Sequence, residues 1–203
     1  FEVPIIEELV EQYRFLTMRY DIVVTNPPYM GSNGMEAKLS KYVKKFYPNT
    51  KSDLFAVFMD VSSNITKNYG YYAMINQQSW MFLISYEKLR EVILKDKTII
   101  NMVHTGARTF PEIGGEVVQN TSFIFLNNAI NSYHGRYVRL VGFNNAEEMI
   151  GNLNNIHNNF YVTHNKFKLI PGSPIAYWVS ENFLKMYDHS KLLRNVSKPK
   201  KGL

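Results

Sequence analysis

Tyr20-Asp21-Ile22-Val23-Val24-Thr25-Asn26-Pro27-Pro28-Tyr29 reads as a short apolar strand that stops abruptly in a stiff loop. The β-branched run Ile22-Val23-Val24 favours extended backbone. Two prolines then end it: each has a fixed φ and no N–H, and Pro28 holds Pro27 in an extended conformation. The loop therefore presents the Asn26 amide oxygen, a rigid Pro27 carbonyl and the aromatic face of Tyr29 close together. Met30-Gly31-Ser32-Asn33-Gly34 follows as a flexible stretch suited to closing over a ligand.

That set of groups fits the exocyclic amine of a flipped adenine. The lone pair of such an amine is delocalised into the ring and is a poor nucleophile. Acceptors on its two N–H bonds, the Asn26 oxygen and the Pro27 carbonyl, draw the nitrogen toward tetrahedral geometry and free the pair. Tyr29 adds a stacking face, worth roughly 1–3 kcal/mol per base. Taken as four letters alone, Asn-Pro-Pro-Tyr is also an ordinary strand exit and turn; the apolar run before it and the glycine-containing loop after it favour the chemical reading.

Outward from the loop, strands and helices alternate, which predicts an α/β sheet. Residues 4–18 read as a helix entering the first strand. A lysine-rich helix is expected over 36–46. Another runs over 53–66, with Leu54, Val57, Phe58, Val61 and Ile65 at helical spacing and Ser52 placed to cap it. Strands are expected at 71–76, 99–104, 121–126 and 136–141, with a helix at 86–95. From Asn144 the character changes. Asparagines dominate 144–165, and Pro171-Gly172-Ser173-Pro174 marks a break. The expected division is 1–143 as one sheet-forming unit and 144–203 as a linker and the start of a second region.

Asn26-Pro27-Pro28-Tyr29 resembles the catalytic motif of the amino-group (N6-adenine) DNA methyltransferases, and the resemblance continues in order over about residues 20–127. Residues 51–58 resemble the helix after the catalytic loop. Gly70–Ile75 with Ser79-Trp80 resembles the next strand and its exit, and 86–90 the following helix. Phe110-Pro111 ahead of 121–126 resembles the late motif and its strand. The wording around Met30-Gly31, 52–55, 77–80 and 171–178 is similar to the large methyltransferases of BREX phage-defence systems and their type II restriction-modification relatives.

The resemblance implies the C-terminal half of a Rossmann-like, S-adenosylmethionine-dependent methyltransferase sheet plus a partly helical tail. It implies double-stranded DNA as the partner and methyl transfer to adenine N6 as the activity. Asn26, Pro27, Pro28 and Tyr29 become the catalytic set. Phe110 corresponds to the aromatic on the other face of the flipped base, and Phe58 to one that packs on the cofactor adenine. Phe58 equally suits the apolar stripe of its helix, Trp80 suits an ordinary core, and Asp53 suits helix initiation. In this class the glycine-rich S-adenosylmethionine motif lies upstream of the catalytic loop, where only 25 residues stand here, and Gly114-Gly115-Glu116 is too short and too late to replace it. The chain is thus expected to be part of a larger enzyme, inactive by itself, with the tail leading toward a DNA target-recognition region. The alternatives are a non-catalytic methyltransferase-like module that binds DNA or protein, or an amino-methyltransferase acting on protein glutamine or RNA.

Composition is consistent with these readings. The 203 residues are 45% hydrophobic and 20% charged, enough for a domain with a core. Cysteine is absent, which excludes disulfides, thiolate metal sites and a thiol nucleophile. The five histidines have no ligand spacing, and no metal site is expected. Glu112 and Glu116 lack a supporting acidic or lysine cluster for hydrolytic chemistry. No apolar run approaches the ~20 residues that span a bilayer, so a cytoplasmic location and no membrane partner are expected. A net charge of +6 suits a polyanion, yet the lysines at 38, 41, 44, 45 and 51 also suit a solvated helix face. Half a sheet would expose an edge at Tyr20–Thr25, which dimerisation or a covering N-terminal helix would protect.

Overall fold

The computed structural model describes residues 3–106 and 119–189. Helix α1 (Val3–Thr17) leads into β1 (Tyr20–Thr25), and α2 (Ala37–Phe46) and α3 (Leu54–Ile65) follow the proline loop. Next come β2 (Thr66–Gln77), α4 (Glu87–Asp96), β3 (Thr98–Gly106), β4 (Asn120–Leu126) and β5 (Gly135–Arg139). The tail adds α5 (Ala146–Asn152), β6 (Asn159–Val162), α6 (His164–Phe167) and α7 (Glu181–His189).

The six strands form one sheet in the order β1-β2-β4-β3-β5-β6. The β1–β2 and β3–β5 pairs are parallel, and the other three pairs are antiparallel. Strand β4 thus runs against its neighbours, while β1, β2, β3 and β5 all point the same way. Their carboxyl ends, at Thr25, Gln77, Gly106 and Arg139, share one edge of the sheet. This is the C-terminal half of a Rossmann-like methyltransferase sheet, as the resemblance implied.

Burial alternates along the strands with period 2. Tyr72, Met74 and Asn76 of β2 are buried, whereas Tyr71 is exposed. The buried face carries the main core: Phe55, Ala56 and Met59 of α3 and Leu89, Ile93 and Leu94 of α4 against Tyr72, Met74, Met102, Phe123 and Phe125. On the opposite face Val138, Leu140 and Met149 form a small separate cluster. At β1 the opposite face leaves Ile22 and Val24 67% and 72% exposed. The outer edge of β1 pairs with no strand among the described residues.

Two expectations are corrected. The cap of α3 is Asp53, not Ser52: the Asp53 carboxylate accepts from the Phe55 N–H. Both residue types cap helices well, so propensity did not separate neighbours; the loop geometry did. The sheet also continues beyond residue 143. Strand β6 pairs antiparallel with β5, Tyr137 opposite Phe160, and Val162, Phe167, Ile175 and Tyr177 enter the main core. Asparagines hid that strand, because its pairing is set by packing rather than propensity.

The Pro171–Trp178 segment is tied down by Arg90. Gly172 adopts φ +77°, a left-handed turn that glycine takes without steric cost. Its carbonyl accepts from Arg90 Nε (3.0 Å) and Nη2 (2.7 Å). Arg90 Nη1 donates to the carbonyls of Trp80 (2.9 Å) and Leu83 (2.7 Å). Beyond the turn, the Tyr177 ring stacks on Tyr137 with centroids 5.0 Å apart. This brings Tyr177 and Trp178 over the ends of β3 and β5.

Candidate functional site

The chain leaves β1 at Thr25 and exposes Asn26 at the carboxyl edge of the sheet. Pro27 is buried, Pro28 exposed and Tyr29 half-buried. This alternation anchors the loop from below while its amide side chain stays accessible.

Side-chain and backbone contacts together fix the loop. The Tyr29 hydroxyl donates to Asn120 Oδ1 at 3.1 Å, and the Tyr29 ring meets Phe55 edge-on, 6.2 Å between centroids. The Met30 N–H donates to Asp53 Oδ1 at 3.0 Å, the same oxygen that caps α3. The backbone closes the junction: Leu54 N–H donates to Met30 O at 3.0 Å and Ser32 N–H to Ser52 O at 2.9 Å. The catalytic-type loop and the amino end of α3 therefore form one rigid unit, with a buried carboxylate at its centre. Burial, and then the Asp53 charge, push the Tyr29 phenol up to about 12. Tyr29 is a neutral hydrogen-bond donor at any physiological pH.

Further along the edge, polar side chains form a chain of their own. Gln78, just after β2, bonds to Gln119 and to His104 Nε2. His104 Nδ1 meets the Tyr177 hydroxyl at 3.0 Å. Burial, and then the Arg139 charge, depress the His104 imidazole to about 4, so it is neutral at pH 7.

The expected residues fall as follows. Asn26, Pro27, Pro28 and Tyr29 lie together at the edge. Phe58 is half-buried and packs against the main core from α3. Trp80 is fully buried, edge-on to Phe123 and Phe125, and its Nε1 donates to Asn76 Oδ1 at 3.2 Å. Phe110 lies outside the described residues. Sequence reasoning gave no site role to Asn120, Phe55, Gln78 or His104, and gave Asp53 helix initiation, with Ser52 as the cap. The clue available for Asp53 was its place directly before the apolar stripe that begins at Leu54; Asn120 offered none, since it meets Tyr29 only through the strand order.

Among the described residues no cluster of histidine, aspartate and glutamate could hold a metal ion. No described helix is long and apolar enough to cross a membrane.

A sheet with a reversed strand beside parallel ones, and an Asn-Pro-Pro-Tyr loop at its carboxyl edge, are the arrangement that the resemblance to the amino-methyltransferases implied. Residues 5–110 match the Eco57I restriction-modification methylase family, and the chain belongs to it. It is 48% identical over 179 residues to the adenine-specific methyltransferase BrxX of Escherichia coli O9:H4 (strain HS), covering 88% of this chain and 15% of that protein. It is 43% identical over 208 residues to the adenine-specific methyltransferase PglX of Lacticaseibacillus casei (strain Zhang), covering 98% of this chain and 17% of that protein. The chain thus spans about a sixth of the length of these curated relatives. The cryo-EM structure of the DrdV–DNA complex shares the fold, with a TM-score of 0.60 at 16% identity over 86% of this chain and 20% of that one. Membership of this family implies S-adenosylmethionine as the cofactor.

Proposed function

We propose that this chain is the catalytic-loop half of an enzyme that methylates the N6 amine of a flipped adenine in DNA, within a restriction-modification or phage-defence protein of the cytoplasm. The observation that carries the reading is the Asn26 amide, exposed at the end of β1 on a loop held by Asp53 and Asn120. A preorganised acceptor of this kind costs little reorganisation when charge develops on the amine.

In this reading the Asn26 oxygen and the Pro27 carbonyl accept the two N–H bonds of the adenine amine and localise its lone pair. Pro28 keeps the loop rigid. Tyr29 offers one face to the flipped base and Phe110 the other, which offsets the few kcal/mol of unstacking. Phe58 packs toward the cofactor adenine. S-adenosylmethionine supplies the methyl group, transferred directly with no covalent bond to the enzyme, and the surplus amine proton passes to solvent. The segment that follows β6 leads toward a target-recognition region. The names of BrxX and PglX as adenine-specific methyltransferases, and the DNA bound in the DrdV structure, support adenine in DNA over protein glutamine or RNA.

The test is Asn26→Ala in the full-length parent. The variant is expected to bind DNA and S-adenosylmethionine like wild type and to lose adenine methylation by at least a hundredfold. Retention of the wild-type rate would remove Asn26 from the chemistry. In parallel, calorimetric titration of this chain alone with S-adenosylmethionine is expected to show no binding, in contrast to the parent.

A further inference from the structure

Arg139 is the last residue of β5 and stands in register with His104 of β3, four strands along the carboxyl edge from Asn26. Its guanidinium carbon lies 5.4 Å from the centroid of the Trp178 ring. The Trp178 ring is braced in turn by Phe82, 5.7 Å away and edge-on, and by His104, 6.2 Å away. Arg139 Nε is buried with no hydrogen-bond partner, and no described carboxylate pairs with the guanidinium. The neighbouring His104 is neutral at pH 7, as described above. A fixed cation on an aromatic platform, with donors left over and no anion beside it among the described residues, is matched to an external anion.

We propose that Arg139, held by Trp178, binds a backbone phosphate of the DNA whose adenine is presented to Asn26. This rests on the DNA-methyltransferase reading above. Four strand spacings of about 4.8 Å place Arg139 about 19 Å from the end of β1. At a rise of 3.4 Å per base pair, that is about five or six pairs from the flipped base for a duplex lying along this edge. Arg139 fixes the register of the duplex and reads no sequence.

The experiment measures DNA affinity of the full-length enzyme against salt concentration, with methylation kinetics on the same duplex. Arg139→Ala is expected to reduce the slope of log K against log[salt] by about 0.9 and to weaken binding roughly three- to tenfold. It is expected to raise KM for DNA more than it lowers kcat. Arg139→Lys should restore the slope, because the charge returns, but only part of the affinity, because the planar stack on Trp178 is lost. An enzyme that methylates DNA but shows the same salt slope in wild type and Arg139→Ala overturns the phosphate contact alone. A lower melting temperature in Arg139→Ala with an unchanged slope assigns Arg139 a packing role and overturns it too. A wild-type enzyme that neither binds nor methylates DNA removes the methyltransferase reading and this contact together.

Discussion

The Tyr29 hydroxyl donates to Oδ1 of Asn120, 91 residues away in sequence and 3.1 Å away in space. The bond joins the loop after β1 to the first residue of β4, the strand that runs against its neighbours. It is also the contact that orients the Tyr29 ring beside Phe55.

Tyr29→Phe keeps the aromatic face and deletes this donor. A neutral hydrogen bond contributes about 1 kcal/mol net, so kcat of the parent enzyme is expected to fall about fivefold, with little change in KM for DNA. Tyr29→Ala removes the face as well and should raise KM for DNA further. Equal effects of the two variants in steady-state methylation assays would show that the ring itself contributes nothing.

Asp53 accepts two backbone N–H groups from opposite sides of the loop–helix junction. Asp53→Ala leaves both donors without a partner at a buried position, at a cost of about 2 kcal/mol. Asp53→Asn preserves an acceptor oxygen and should cost less than half of that. Equilibrium urea unfolding of the two variants checks the order; a role limited to charge would make the two losses equal.

The parts of this architecture that sequence made legible are those set by local physics. The β-branched run before Asn26-Pro27 placed β1 to the residue, and the apolar stripe of α3 was visible at helical spacing. The edge chemistry was not visible in the same way. Asn120, Gln78, His104 and Arg139 come together only because β4 inserts between β2 and β3 and β5 pairs with β3, a non-local order that no window of residues encodes. Strand β6 was hidden for a related reason: Asn159-Phe160-Tyr161-Val162 has weak strand character at its start and is fixed by pairing with β5 and by Phe160 packing edge-on against Tyr177.

Arg90 is the brace of the Pro171–Trp178 segment, and its truncation is expected to be costly. Arg90→Met fills a similar volume but leaves the carbonyls of Trp80, Leu83 and Gly172 short of donors in a buried setting, about 3 kcal/mol in total. The urea midpoint should fall by about 1–2 M at constant m. Intrinsic fluorescence of Trp178, released from its fixed position, should change below the global transition.

Acid sensitivity follows from two buried imidazoles. Burial, and then the Arg139 charge, depress His104 to about 4. Burial is also the main cause that lowers His164 to about 4, against a backbone hydrogen bond at Leu94 that acts the other way. In both, the folded value lies below the unfolded value of about 6.5, so folding favours the neutral ring. Their contribution is complete above about pH 6.5 and is lost as pH falls toward 4, because the unfolded chain then binds protons that the folded chain refuses. The urea midpoint is therefore expected to drop between pH 7 and pH 4.5. His104→Gln, which keeps hydrogen-bonding capacity toward Gln78 and Tyr177 without a titrating ring, should flatten that decline; an unchanged pH profile in the variant would show that His104 carries none of it.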